Sequence, residues 1–382
     1  MKKYKLKDVA EIYNGATPLT NNKTFYEGGN ISWITPKDLS GYNHKYIYSG
    51  KRNITEKGLL SCATNILPKG TVLFSSRAPI GYVAIAGREL CTNQGFKSFV
   101  CNSKVLDNQY LYYYLIKNKG ILEALGNGST FKEISLKTIA EYQIELPSID
   151  TQKALVKDLI ELDKRYDNNC SILLQLEELM ERIYYDYIES NAIQDENVGL
   201  GSVVDIISGG TPSTKTENYW NNGIYYWYTP SDITANNNMI TYKSTKKISI
   251  SGLANSSAKL IPAHSVLMTS RATIGETTIN MIDATTNQGI LALVPKNEHM
   301  CALQLLFWVK QNKRKIASIA NGSTFKEVYK KDLEKLPINL NKVNSKRFNE
   351  KTDGLFNLFK SLFKENLTIL ELKKNIIDIR FR

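Results

Sequence analysis

No apolar run in the 382-residue chain approaches the ~18 to 20 residues needed to cross a bilayer. The opening Met1-Lys2-Lys3-Tyr4-Lys5-Leu6-Lys7 lacks the apolar stretch of a secretory signal, so a soluble, cytoplasmic protein is expected. Cysteine is scarce: Cys62, Cys91, Cys101, Cys170 and Cys301 are odd in number and far apart. With no C-x-x-C pair they read as reduced thiols, neither a disulfide framework nor a metal site. Histidine is scarcer still, and His44, His264 and His299 are isolated from one another. There is no G-x-x-x-x-G-K-[ST] phosphate loop, no H-E-x-x-H, no adjacent prolines for an N-P-P-Y motif, and no G-x-S-x-G elbow around Ser76 or Ser270. The pairings of carboxylate and lysine at Glu161-Leu162-Asp163-Lys164 and Glu371-Leu372-Lys373 lie in helical stretches, where charge routinely flanks a seam. A catalytic chain is not expected.

What is present is enough apolar residue, 42%, to build ordinary cores, and a length that calls for at least two domains. The net charge of +12 favours a polyanionic partner.

The chain contains itself twice. Thr17-Pro18 recurs as Thr211-Pro212, Trp33 with Thr35-Pro36 as Trp227 with Thr229-Pro230, and Asp38 as Asp232. Ser76-Arg77-Ala78-Pro79-Ile80-Gly81 returns as Ser270-Arg271-Ala272-Thr273-Ile274-Gly275, and Thr92-Asn93-Gln94-Gly95 as Thr286-Asn287-Gln288-Gly289. Asn127 to Glu133 is repeated letter for letter at Asn321 to Glu327, always displaced by 194. A unit of about 145 residues is a domain in its own right, so two like domains follow. Within each, β-rich runs such as Thr71 to Phe74 and Tyr82 to Ala86 are bounded by Gly and Pro, and Asn108 to Lys117 has helical spacing. The fold class is α+β: two similar mixed α/β domains in tandem.

Between and after the copies the pattern changes. Leu155, Leu159, Leu162, Tyr166, Asn169, Leu173, Leu176, Met180, Ile183 and Tyr187 alternate spacings of four and three, a coiled-coil seam. Leu355, Leu358, Leu362, Glu365, Ile369, Leu372, Ile376 and Ile379 do the same. Each domain is therefore followed by one long helix, giving the divisions 1–148, 149–191, 192–341 and 342–382. Helix pairing is expected through Leu173, Leu176, Met180 and Ile183 against Leu362, Ile369, Leu372 and Ile376, with Asn169 and Glu365 as register-fixing polar positions.

The repeated side chains are of the kinds that hold phosphates and base edges. Thr17, Trp33, Arg77, Asn93, Gln94, Ser129 and Lys132, with Thr211, Trp227, Arg271, Asn287, Gln288, Ser323 and Lys326, are the candidate DNA-binding residues. The arginines are expected to contact phosphates, whereas the Asn-Gly pairs are equally readable as turns. Residues identical in the two copies cannot by themselves encode a difference between them. Base reading is therefore expected where the copies diverge, in Leu19 to Ile31 against Ser213 to Tyr225 and Ser40 to Lys57 against Thr234 to Ser251.

The order of these motifs resembles the specificity subunit of a type I restriction-modification system. The likeness rests on Leu6-Lys7-Asp8-Val9-Ala10 with Gly15-Ala16-Thr17-Pro18, Trp33-x-Thr35-Pro36-x-Asp38, Ser76 to Gly81, Thr92 to Gly95, Gly128-Ser129-Thr130-Phe131, and Leu146-Pro147 with Gln152 before a long helix. The second copy departs at Leu340-Asn341 and Lys346. The resemblance implies two target recognition domains reading the halves of a bipartite double-stranded DNA site, held apart by helices that pair antiparallel as a ruler. It also implies two methyltransferase subunits and restriction subunits as partners. S-adenosylmethionine, ATP and Mg then belong to those partners, and no cofactor, metal or catalytic residue to this chain. An orphan DNA-binding or coiled-coil scaffold protein without restriction partners is the alternative.

Overall fold

The computed structural model describes residues 1–128, 132–189, 197–236, 238–296, 300–322 and 326–381. In the first copy a five-stranded sheet runs in the order Ala10–Asn14, Phe96–Cys101, Val72–Ser76, Ile80–Ala86, Tyr46–Ile47, antiparallel except for the last pair. A three-stranded sheet places Ile31–Ile34 between Arg52–Ile54 and Cys91–Thr92. Lys2–Lys5 pairs antiparallel with Gln143–Leu146, which joins the two ends of the copy. The second copy repeats this strand for strand: Val204–Ser208, Ile290–Pro295, Ser265–Thr269, Thr277–Asn280 and Ile240–Thr241 form the larger sheet. Lys246–Ile248, Tyr225–Tyr228 and Ala284–Thr286 form the smaller one, and Asn197–Gly199 pairs with Pro337–Asn339.

The expected helix Asn108–Lys117 forms and buries Tyr110, Leu111, Tyr112, Tyr113 and Leu115. Asp107 caps it, its Oδ1 accepting from the N–H groups of Gln109 at 2.9 Å and Tyr110 at 3.0 Å, two donors that the first turn leaves without partners. The counterpart Ala302–Gln311 starts after Cys301.

Two long helices follow the copies, Ile149–Tyr184 and Lys342–Arg380. Buried Gln152 fastens the first to its domain: Nε2 donates to the carbonyls of Val105 (2.9 Å) and Pro147 (3.0 Å), and Oε1 accepts from the Asp107 N–H (2.9 Å). At the second entry Lys346 is exposed and the fastener is reversed, with Gln304 of the domain donating to Ser345 of the helix at 3.2 Å. The departure seen in the sequence there is a change of polar partner.

The chain divides into two compact units, residues 1–170 with 365–382 and residues 171–364, so each long helix contributes to both. In the first unit, Val156 and Leu159 of one helix, Ile377 of the other and Phe381 just past its end are buried in the same core as Leu6, Phe74, Phe99 and Tyr113. In the second unit, Tyr184 packs its ring on Phe307 (5.8 Å) and Phe348 (5.9 Å), and Tyr242 stacks on Phe363 (6.1 Å).

Within the first unit the helices run antiparallel. Asn169 Nδ2 donates to Asn366 Oδ1 at 3.1 Å, and Arg380 Nη2 reaches Asp158 Oδ2 at 2.5 Å, so numbers fall along one helix as they rise along the other. The two polar seam residues meet: Asn169 Nδ2 also donates to Glu365 Oε2 at 3.1 Å, and Arg165 Nε lies 2.9 Å from Glu365 Oε1. Of the residues expected at the pairing face, Leu173, Leu176, Met180 and Ile369 are buried, while Ile183, Leu362 and Ile376 are half-buried. Leu372 is not a pairing position, being 45% exposed, with Leu358 and Ile379 similarly outside. From Phe359 onward the buried positions on the second helix are Phe359, Phe363, Asn366, Ile369, Lys373 and Ile377, which meet the expected register only at Ile369 and otherwise fall one residue on. Asn366 and Lys373 are polar, so a search for apolar spacing selects the neighbouring stripe instead.

Candidate nucleic-acid interface

Trp33 and Trp227 sit on the middle strands of the three-stranded sheets, and both are buried. Their indole N–H groups donate to the carbonyls of Ala16 (3.0 Å) and Gly210 (2.9 Å), which ties the Thr-Pro loop to the sheet. The expectation that these tryptophans touch DNA is corrected by that placement: a buried ring with its donor engaged holds the fold.

The Asn-Gln-Gly segments are turns. Asn93 Oδ1 accepts from the Gly95 N–H and Asn287 Oδ1 from the Gly289 N–H, each at 2.9 Å. Asn93 and Asn287 also pair their own N–H groups with the carbonyls of Ile34 and Tyr228 at 2.9 Å. Gly15 is required by this packing, since a Cβ there would stand 2.1 Å from the Asn93 carbonyl oxygen. Thr17 and Thr211 donate to the exposed side chains of Gln94 and Gln288. Asp38 and Asp232 knit the neighbouring loops, accepting from Thr35 Oγ1 and Thr229 Oγ1 at 2.6 Å. For Asp232, burial pushes the carboxyl up, but bonds from Thr229 and Thr245 outweigh it and hold its pKa low.

Arg77 and Arg271 each meet a repeated glutamate to which the sequence assigned no role. Arg77 Nη1 is 3.2 Å from Glu133 Oε2, and Arg271 Nε is 2.7 Å from Glu327 Oε1. Backbone bridges join the same residues, and the Ile134 N–H donates to the Ser76 carbonyl at 3.0 Å, as Val328 does to Ser270. The arginine loops are thereby latched to the repeated Asn-Gly segments. The residue after each arginine has left-handed backbone, Ala78 at φ 51° and Ala272 at φ 59°. That conformation is costly for alanine and persists only where its surroundings enforce it.

In the first copy Thr35, Pro36, Lys37, Arg77, Ala78, Asn93, Gly95 and Glu133 line a cleft of about 500 Å³. Lys132 and Lys326 are exposed beside their glutamates, while Ser129 and Ser323 lie outside the described residues. The cleft offers what a phosphate contact needs, a guanidinium with open N–H groups on a loop held from behind. No group of three or more His, Cys, Asp or Glu residues able to hold a metal occurs among the described residues.

The divergent stretches carry a shared device built from different residues. The Arg52 guanidinium lies 4.0 Å from the centre of the Tyr26 ring, and at the equivalent place Lys246 lies 5.7 Å from the Trp220 ring. Tyr26 Oη donates to the Pro18 carbonyl at 2.7 Å and Trp220 Nε1 to that of Ser213 at 3.0 Å. Lys45, in the same first-copy stretch, is 1% exposed and faces inward, so it is no candidate for base reading.

The chain aligns with the crystal structure of the type I restriction-modification system S subunit from M. genitalium with a TM-score of 0.59 at 15% identity, covering 100% of this chain and 96% of that one. The family described as type I restriction modification DNA specificity domain matches residues 1–178 and again 195–370, and the chain belongs to it. Among characterised relatives, the MjaIX specificity subunit of Methanocaldococcus jannaschii is 46% identical over 167 residues, 43% of this chain and 38% of the relative. The EcoR124I/EcoR124II specificity subunit of Escherichia coli is 26% identical over 165 residues, 41% of this chain and 40% of the relative. These matches span well under half the length of either relative. No described helix is long and apolar enough to cross a membrane.

Proposed function

We propose that this chain is the non-catalytic recognition subunit of a type I restriction-modification complex, reading a bipartite site in double-stranded DNA and directing partner methyltransferase and restriction subunits. The carrying observation is the repeated latch, in which Arg77 with Glu133 and Arg271 with Glu327 occupy equivalent places in two copies of one domain. Two equivalent latches suit a site with two halves. In this reading the arginines and the exposed Gln94, Gln288, Lys132 and Lys326 touch the phosphate backbone, and sequence is read from the divergent stretches around Tyr26 with Arg52 and Trp220 with Lys246. S-adenosylmethionine, ATP and Mg act on the partners, and two methyltransferase subunits dock per chain. Exposed Leu174, Leu179, Leu358, Leu372 and Ile379 on the long helices supply apolar surface for such docking.

The test is DNA binding by the full chain across a salt series, together with methylome mapping in cells that carry the partner subunits with and without this gene. Binding should weaken steeply with salt, and a two-part methylated motif should vanish with the gene. Salt-independent absence of DNA binding with an unchanged methylome would overturn the proposal.

A further inference from the structure

The two arginine latches differ by one buried charge. In the first copy, strand Phe96–Cys101 places Lys97, 4% exposed, with Nζ 3.4 Å from Glu133 Oε1. Glu133 Oε2 faces Arg77 at 3.2 Å, so two cations share one carboxylate. In the second copy position 97 corresponds to Leu291, equally buried. There Arg271 has Glu327 to itself at 2.7 Å among the described residues. Formal charge at the latch is therefore one unit positive in the first copy and zero in the second. Burial lowers the pKa of Lys97, and the Glu133 charge opposes that shift.

We infer that Lys97 is a positioning residue: by engaging Glu133 from beneath, it leaves the Arg77 guanidinium with uncompensated charge for a DNA phosphate, so the first copy grips the backbone more strongly than the second. A single carboxylate cannot neutralise two cations, and the more loosely held arginine keeps both charge and open donors toward solvent. Leu291 shows that the domain accepts an apolar side chain at this place, so the lysine is not required by the fold. The inference rests on the proposal that these clefts face DNA.

The experiment measures affinity of the full chain for a mixed-sequence duplex by fluorescence anisotropy across a salt series, for Arg77→Ala, Arg271→Ala, Lys97→Leu and the double variant Arg77→Ala with Lys97→Leu. Arg77→Ala should flatten the salt dependence more than Arg271→Ala. Lys97→Leu should lower the slope of log K against log salt by about 0.9, the effect of one phosphate-facing charge. In the Arg77→Ala background the same change should leave the slope unchanged, because the slope counts phosphate contacts and Glu133 makes none, although affinity falls as Glu133 loses its last cation. An equal lowering of the slope by Lys97→Leu in both backgrounds, or none in the wild-type background, overturns the inference while Arg77→Ala still reports the underlying proposal. If neither arginine variant alters affinity or slope, the clefts do not face DNA and both fall. Should Lys97→Leu fail to fold, Lys97→Met retains a long flexible side chain without the charge and gives the same readout.

Discussion

Replacing Asp163 with asparagine tests how the first domain is anchored to the helices. Asp163 lies on the first long helix, and Lys45 Nζ of the domain approaches its Oδ2 at 2.5 Å. Lys373 of the second helix pairs with Oδ1, and the Tyr113 hydroxyl donates to Oδ2. Lys45 also lies 4.6 Å from the Tyr113 ring centre. Asp163→Asn keeps the shape and leaves two buried cations without their counter-charge, a loss on the order of 3–5 kcal/mol. The lower end is expected because Lys45 has an escape. Burial already pushes its pKa below 10.5 against the pull of Asp163, and without the aspartate it can shed its proton. The sign of the pH effect follows: with a depressed folded pKa the unfolded state binds more protons, so the variant should regain stability as pH rises toward 10.5. Hydrogen exchange resolved by peptide is the suitable assay, since two units do not give one two-state transition. Protection should fall in residues 1–170 and 365–381. Joint replacement with Lys45→Met, Asp163→Leu and Lys373→Leu should recover most of the loss. Unchanged protection in Asp163→Asn, or a cost under about 1 kcal/mol, would refute a buried charge anchor.

Trp33→Ala and Trp227→Ala should each cost about 3–5 kcal/mol and lose DNA binding only with folding, whereas Trp33→Phe should cost about 1 kcal/mol for the lost bond to Ala16 and retain binding. Thermal melts with anisotropy on the same samples separate these. Phe363→Ala should destabilise by about 3–5 kcal/mol while Leu372→Ala stays within about 0.5 kcal/mol, and hydrogen exchange resolved by peptide in each unit checks the helix register. The hydrogen bond from Arg165 lowers the pKa of Glu365, burial opposes it, and the bond from Asn169 adds to the lowering. Its contribution to helix pairing should be complete above the ordinary value of 4.5 and fade as pH falls through the lower folded value, so Glu365→Gln should flatten the acid limb of a pH–stability curve.

Much of the architecture was legible because a duplication is a property of order, and order survives divergence. Strand segments, the helix Asn108–Lys117 and the long helices all followed from the repeat and from periodicity. The second helix register was not legible, because two of its buried positions are Asn366 and Lys373, whose partners Asn169 and Asp163 lie about 200 positions away in sequence. The arginine latch was hidden for the same reason: Glu133 stands 56 residues from Arg77, and its repetition marked it without revealing its partner. Trp33 and Trp227 look like binding residues in a sequence and are structural ones in the fold, since only the structure shows the indole donor already engaged.

The repeated letters therefore mark mainly a frame of internal bonds, and the pairs that differ mark where each copy acquires its own properties. Lys97 against Leu291 alters a cleft, Tyr26 with Arg52 against Trp220 with Lys246 alters a cation held on an aromatic face, and Lys45 against Met239 alters an anchor. These differences are not of one kind, which matters for exchanging half-site specificity. Grafting residues 213–251 onto positions 19–57 would bring Met239 into the place of Lys45 and leave Asp163 with Lys373 as its only cation among the described residues. A failed graft would then report a damaged anchor and say nothing about base reading. A graft that retains Lys45 keeps the anchor and changes only the divergent surface, so its methylation pattern can be read as specificity.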